Sequence, residues 1–334
     1  MNKYIMTSYD FEKNTAGVKA KEDVQEFLLQ DGFKLFKMPS HGAKKLLYTI
    51  LKLPLRAKKI DNGVMVIQFP DGRLTIRKLV LNALKKNSRL KIVYFIHDIE
   101  SLRLLNSAEC SSEEKETEIA LLKQANGIIS HNEKMARWLQ NNGITCPIVN
   151  LKIFDYLSPF VPQPNHHLNK RIAFAGNLAK SSFLEKLNLH NYIIDAFGPN
   201  PSKEYSSCVN YKGVFAPSKL PNHLNQDFGL IWDGSVTDQC NGIYGNYLKY
   251  NDPHKASLYL SSGLPVIIWK QAALASFIEK NNLGIAINDL TEIDTLNIDQ
   301  KHYDIMRQNV INIAHRLHDG FYTTNAIKQI LREI

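Results

Sequence analysis

The 334-residue chain is 44% hydrophobic and 22% charged, with 17 Gly and 13 Pro. That composition excludes a disordered or fibrous chain, and the length suits about two domains. The net charge of +9 is uneven: residues 31–91 hold 15 Lys and Arg against three Asp, a local +12 that leaves −3 for the rest.

Four cysteines (Cys110, Cys146, Cys208 and Cys240) include no Cys-x-x-Cys pair. Reduced thiols in a cytoplasmic protein are expected, not a zinc ribbon or a disulfide framework. No apolar run reaches the roughly 18 residues of a membrane span. The opening MNKYIMTSYDFEK lacks the apolar core of a signal peptide.

In chain order, strands are expected at 3–8, 33–37, 63–69, 90–96, 126–130 and 147–151. Helices are expected between them, at 18–30, 43–60, 74–87, 113–125 and 132–141. Several strands are continuous apolar runs, the signature of parallel strands covered on both faces. Residues 155–170 carry Pro159, Pro162 and Pro164 and read as a linker. Alternation then restarts with RIAFAG, YIIDAFG, CVNY, FGLIW, LPVIIW and LGIAI. Their helices are expected around 218–225, 253–262, 272–280 and 300–316, and FYTTNAIKQILREI makes one more amphipathic helix. The expected organisation is an α/β chain of two Rossmann-like doubly wound domains, 1–157 and 171–318. A linker at 158–170 joins them, and a final helix over 319–334 is free to pack back across them.

Within the basic segment, Leu46, Leu47, Ile50 and Leu51 recur at helical spacing, and Pro54 should end or kink the helix. Two readings stay open. One is a core-facing helix with a solvated basic back. The other is a surface that docks on anionic lipid or an anionic substrate. Nucleic acid is not expected, because interleaved aromatics and the known DNA- and RNA-binding patterns are missing.

Paired domains of this kind bind ligands at the carboxyl ends of their strands, so chemistry is sought in the loops that follow strands. In NDPHKASLYL, Asp252 reads as an N-cap and Pro253 as the first helical residue, with His254 and Lys255 in the first turn. A lysine there opposes the helix dipole, which a bound phosphate would explain. In AFAGNLAK, Gly176 and Asn177 open a tight loop after a strand, followed by Lys180. Asp233 follows the strand FGLIW, and the loop VNYKGVFAP offers Tyr211 and Phe215 to a nucleobase. In the first half, Thr15, Ala16 and Gly17 form a turn after the first strand. His97 and Asp98 follow a buried strand, a placement suited to general-base work. The chain has no Gly-x-Ser-x-Gly, no His-Glu-x-x-His and no Asp-x-Asp. Neutralisation of a diphosphate would therefore fall to lysines and a helix terminus, not to a metal.

The strings NTAGVKA (14–20), FIHDIESLR (95–103), IISHN (128–132), LKIFDYL (151–157), FAGNL (174–178), GLIWDG (229–234) and YGNYLKYNDPHKASLYLSSGLPV (244–266) carry a resemblance. Over nearly its full length the chain resembles bacterial β-1,6-galactofuranosyltransferases of O-antigen assembly. It is more distantly similar to streptococcal glucosyltransferases that extend N-acetylglucosamine on serine-rich-repeat adhesins. The resemblance implies a GT-B fold with a deep cleft and a UDP-hexose donor on the second domain. It further implies metal-independent inversion, with Lys180 and Lys255 on the diphosphate. Many retaining GT-B enzymes grip the ribose with a Glu where this chain has Leu258.

The resulting expectation is hexosyl transfer, galactofuranose through a β-1,6 linkage first, to a saccharide acceptor carried on a polyprenyl diphosphate. Asp98 would be the base and His97 its orienter or the base itself, with Thr15 over the donor sugar and Asp233 on sugar hydroxyls. The protein would work in the cytoplasm or at the inner membrane face, as a monomer or a homo-oligomer, without a cofactor. Glucosyl or galactopyranosyl transfer to a glycoprotein, a non-catalytic UDP-sugar-binding subunit and a UDP-sugar isomerase remain alternatives.

Overall fold

A computed structural model of the chain describes residues 1–8, 16–105, 110–163 and 166–334. The chain divides into two compact units, residues 1–151 with 322–334, and residues 152–321.

The first unit is built on a six-stranded sheet. Its strands are β1 (Asn2–Thr7), β2 (Lys34–Lys37), β3 (Gly63–Phe69), β4 (Leu90–Ile96), β5 (Gly127–Ser130) and β6 (Ile148–Asn150). They lie in the order β2-β1-β3-β4-β5-β6, and every pairing is parallel. The apolar run GVMVIQF becomes β3, buried at all seven residues, because helices cover both faces of a parallel sheet. The chain steps from β1 out to β2 and then back past β1 to β3, so the strand order reverses between β1 and β3.

The second unit repeats the plan with β7 (Arg171–Ala175), β8 (Ile193–Phe197), β9 (Val209–Gly213), β10 (Phe228–Ile231), β11 (Val266–Trp269) and β12 (Gly284–Ile287). The order is β12-β11-β10-β7-β8-β9, again all parallel. This is the doubly wound arrangement, with its reversal between β7 and β10. Trp232 and Trp269, fully buried at the ends of β10 and β11, anchor the core with ring centroids 6.4 Å apart.

The unit boundary falls at 151, not at 157 as the sequence suggested. Tyr156 explains the shift: its N–H donates to Leu317 O (3.0 Å) and its hydroxyl to Pro217 O (2.8 Å), both in the second unit. Ser257 Oγ also donates to Phe154 O at 2.6 Å. The final helix, Phe321–Glu333, belongs to the first unit. Its Ile330 side chain occupies the space a Cβ on Gly127 of β5 would take, 2.8 Å away.

The basic segment departs further from expectation. Residues 42–58 are helical throughout, and the turn before Pro54 widens to a π-helix over Tyr48–Lys52. Proline donates no N–H, and a wider turn relieves its ring clash with the preceding carbonyls. The inward face is Lys45, Thr49, Leu53 and Ala57, while Leu46, Leu47, Ile50 and Leu51 point outward. The core-facing reading of that stripe is therefore corrected. A buried Lys45–Asp71 ion pair (3.0 Å), with Lys45 also donating to Ser8 Oγ (2.8 Å), takes the inward position that apolar periodicity assigned to leucines.

Candidate functional site

The reversal between β7 and β10 leaves their carboxyl ends facing an open crevice, where doubly wound sheets bind ligands. Gly176, Asn177 and Lys180 follow β7, and Asp233 follows β10. The helix His254–Ser261 brings in Lys255, whose Nζ lies 2.9 Å from Asp233 Oδ1, 3.4 Å from Trp232 O and 4.8 Å from the centre of the Phe174 ring. Lys255 and Asp233 are both half-buried.

Two glycines let this helix and the Asp233 loop come so close. A Cβ on Gly229 of β10 would stand 2.2 Å from the Tyr259 ring. With that space free, Tyr259 reaches across the sheet to accept the Ala175 N–H at 2.6 Å. A Cβ on Gly234, whose φ is +130°, would stand 2.2 Å from Asn241 Oδ1. Asn241 Oδ1 accepts the Ser235 N–H at 2.7 Å and so pins the turn that carries Asp233.

The helix starts one residue later than its sequence suggested. Pro253 has an extended ψ of 132° and is the cap itself, so Asp252 lies before the cap and is buried. The counter-charge beside Lys255 at this helix terminus is Asp233. His254 turns toward the 152–157 segment, its ring tilted on Tyr156 at 5.0 Å and edge-on to Phe154 at 6.1 Å. Leu258 is buried in the core.

Lys180 ends a short 3₁₀ turn (Leu178–Lys180) and is exposed, its Nζ 3.7 Å above the Tyr244 ring. Asn177 caps that turn by accepting the Ala179 N–H (3.2 Å), and it accepts Asn200 Nδ2 at 2.9 Å. Gly176 is exposed, and no atom lies within 4 Å of where its Cβ would be. Packing within the protein therefore does not require glycine there. Along the same rim, the Tyr211 hydroxyl donates to Gly198 O (3.2 Å), and Phe215 stacks on His223 at 3.8 Å. The second-unit candidates therefore line one edge, from Phe215 and Tyr211 through Gly176 to Lys180, Asp233 and Lys255.

In the first unit, His97 and Asp98 leave β4 beside the end of β3. The His97 N–H donates to Phe69 O at 2.7 Å, and His97 Nε2 is 2.7 Å from Gln68 Oε1. Asp98 ion-pairs with Arg103. Lys21 donates to Pro70 O at 2.8 Å, and burial pushes its ammonium down to about 8 despite the attraction of Asp71 and Asp98. His131, just past β5, is fully buried and hydrogen-bonds the backbone of Ile96 and His97, which fixes the loop that carries Asp98. Gly17 is exposed, in the first helix, Ala16–Gln30. Thr15 lies outside the described residues, as does the side chain of Ala16.

Sequence reasoning gave no role to Tyr244, Asn241 or His131. His131 and Tyr244 both sat inside quoted motifs, and for His131 its place directly after a buried strand was the available signal. The helix Gly242–Tyr247 that carries Tyr244 holds two glycines, Gly242 and Gly245, which hid it from pattern reading. Among the described residues, no three His, Cys, Asp or Glu side chains gather as a metal site.

Comparison with known proteins places these features in a family. The family model of the glucosyltransferase 3-like N-terminal domain matches residues 2–153, and that of the glucosyltransferase 3-like C-terminal domain matches residues 172–330. The chain is similar to a β-1,6-galactofuranosyltransferase, WbbI, of Escherichia coli (strain K12), at 29% identity over 99% of each chain. It is 23% identical to glucosyltransferase 3 of Streptococcus gordonii, over 73% of this chain and 72% of that one. Its fold matches that of sucrose-phosphate synthase from Thermosynechococcus elongatus, with a TM-score of 0.65 at 11% identity over 99% and 98% of the two chains. With both halves matched in order along an α/β two-domain chain of GT-B type, the protein belongs to the glucosyltransferase 3-like family of glycosyltransferases.

Proposed function

We propose that the protein transfers a hexose from a UDP-sugar to a saccharide acceptor, with inversion and without a metal. The observation that carries this reading is the convergence of Gly176, Lys180, Asp233 and Lys255 on the carboxyl ends of β7 and β10, where the sheet order reverses. Backbone N–H groups at the start of the His254–Ser261 helix, with two lysines, suit a diphosphate, and Gly176, whose own N–H donates to Phe197 O (3.0 Å), leaves room for it beside β7. Tyr211 and Phe215 would hold the nucleobase at the other end of the rim. Asp233 holds Lys255 in position, and a diphosphate would compete for the same ammonium.

In the transfer itself, the acceptor hydroxyl oxygen attacks the anomeric carbon from the face opposite UDP. The bond to the diphosphate oxygen breaks as the new glycosidic bond forms. Asp98 takes the hydroxyl proton, held in place by Arg103 and by the loop that His97 and His131 fix. The departing diphosphate carries the developing charge, and Lys180 and Lys255 neutralise it; such preorganised contacts are worth about 2.7–4 kcal/mol of barrier each. Thr15, Ala16 and Gly17 are assigned to the donor sugar, and Asp233 to its hydroxyls once the donor is bound.

Galactofuranose in a β-1,6 linkage is the leading donor, supported by the full-length likeness to a galactofuranosyltransferase. The acceptor is then a cell-surface polysaccharide precursor on a polyprenyl diphosphate, met in the cytoplasm. Glucosyl transfer to protein-linked N-acetylglucosamine is the second reading, favoured by the family matched in both halves. The test is UDP release from a panel of UDP-sugars, with and without saccharide acceptors. Release that depends on an acceptor supports the transferase. Donor conversion without an acceptor would identify an isomerase, and binding without turnover on any acceptor a non-catalytic subunit.

A further inference from the structure

The helical run 42–58 presents an outward face that a solvated helix would not carry. Leu47, Leu51 and Leu55 are 61%, 57% and 63% exposed, Ile50 is 53% and Leu46 is 41%. Five large aliphatic side chains thus lie open on one short segment, far from the scattered singles of an ordinary surface. Between His41 and Ile60 the chain has no Asp or Glu, while Lys44, Lys52, Lys58 and Lys59 are exposed around the same segment.

The helix is not free to roll these residues inward. Leu53 and Ala57 are fully buried beneath it. Asn87 Nδ2 donates to Ala57 O (2.8 Å) and Ile60 O (2.7 Å), tying down its last carbonyls. Arg56 donates to Lys37 O at 2.9 Å and lies 4.0 Å over the Phe36 ring, clamping one flank. Lys45 is buried on Asp71 and Ser8. The apolar face is therefore held outward by contacts on the inner face and one flank.

We propose that this face docks on an anionic lipid leaflet. The leucines enter the acyl boundary, and Lys44, Lys52, Lys58 and Lys59 meet the headgroups. Charge selects this occupant over a second copy of the chain. A two-fold contact would set the same patch against itself, and with it four lysines against their own copies without one acid between them. The inference is independent of which sugar is transferred.

The test is flotation of the full chain with vesicles of phosphatidylglycerol and phosphatidylcholine, against vesicles of phosphatidylcholine alone. The chain is expected to float with the anionic vesicles at low salt and to be released near 1 M salt, where the Debye length shrinks to about 3 Å. The combined variant Leu47→Gln, Leu51→Gln, Leu55→Gln should lose binding at least tenfold. These side chains are exposed, so its melting temperature should match the parent's. A second variant, Lys52→Ser, Lys58→Ser, Lys59→Ser, should lose binding while leaving the leucines intact. Failure of the parent to float with anionic vesicles at low salt would overturn the proposal, as would undiminished flotation of the leucine variant. A concentration-dependent dimer that the leucine variant dissolves, without vesicle binding by the parent, would assign the face to a second copy and overturn it equally.

Discussion

Lys255 Nζ lies 2.9 Å from Asp233 Oδ1, so the cation proposed to meet a diphosphate already holds a carboxylate. The pair sets up a competition. Asp233→Asn should leave UDP binding at least as tight as in the parent, because the competing charge is gone. Transfer from the complete donor should nevertheless slow, because a group that positions Lys255 and the sugar is lost. Calorimetric titration with UDP, beside turnover, checks both halves; weaker UDP binding by the variant would mean that Asp233 supports the phosphate site and does not compete for it.

Two glycines separate packing from ligand approach. Gly229→Ala puts a methyl 2.2 Å from the Tyr259 ring, and overpacking of this kind costs about 1–3 kcal/mol. Its unfolding midpoint should fall. Gly176→Ala meets nothing within 4 Å, so its midpoint should match the parent's while UDP binds more weakly. Equal UDP binding by Gly176→Ala would remove the backbone of that loop from the phosphate site.

Asp98→Asn should spare UDP binding and cut turnover by about 10²–10⁴-fold, the usual worth of a general base. Arg103, its ion-pair partner, is surface-accessible enough that the variant should fold normally. Turnover within a few-fold of the parent's would place the base elsewhere, with His97 the next to replace.

His131 should make the first unit acid-sensitive. Burial pushes its imidazole from 6.5 down to about 3, although hydrogen bonds to the backbone of Ile96 and His97 pull the other way. The unfolded chain takes up a proton near pH 6.5 that the folded chain refuses until about pH 3. The stability that His131 supports is thus intact above pH 6.5 and declines as pH falls toward 3, by up to about 1.4 kcal/mol per pH unit. Urea midpoints measured near pH 7 and pH 5 should fall less for His131→Asn than for the parent. Equal losses would show that other groups govern the acid side.

The parallel sheets were legible because apolar runs such as GVMVIQF and LPVIIW have one stable home in an α/β chain, between two helical layers. The loops proposed to meet a diphosphate were singled out for a related reason: Gly176 and Lys255 stand directly after a strand and at a helix start, which are the positions where chemistry was sought. What periodicity could not reveal was direction. Leu46, Leu47, Ile50 and Leu51 have the spacing of a core stripe, yet an ion pair of Lys45 with Asp71, far off in sequence, claims the inward face. The pairing of Lys255 with Asp233 was hidden likewise, since 22 residues separate the two. Tyr156 shows the same limit at the unit boundary, because its partners Leu317 and Pro217 lie in distant segments.

The central claim, a diphosphate held by lysines at the β7–β10 reversal, is tested most directly by titrating UDP into the parent, Lys180→Ala and Lys255→Ala, all in EDTA. Each variant loses a charge-assisted contact worth about 1.5–3 kcal/mol, so each should bind UDP about ten- to a hundredfold more weakly than a parent that binds without metal. Parent-like affinity in both variants, or a parent that binds UDP only once magnesium or manganese is restored, would contradict the account.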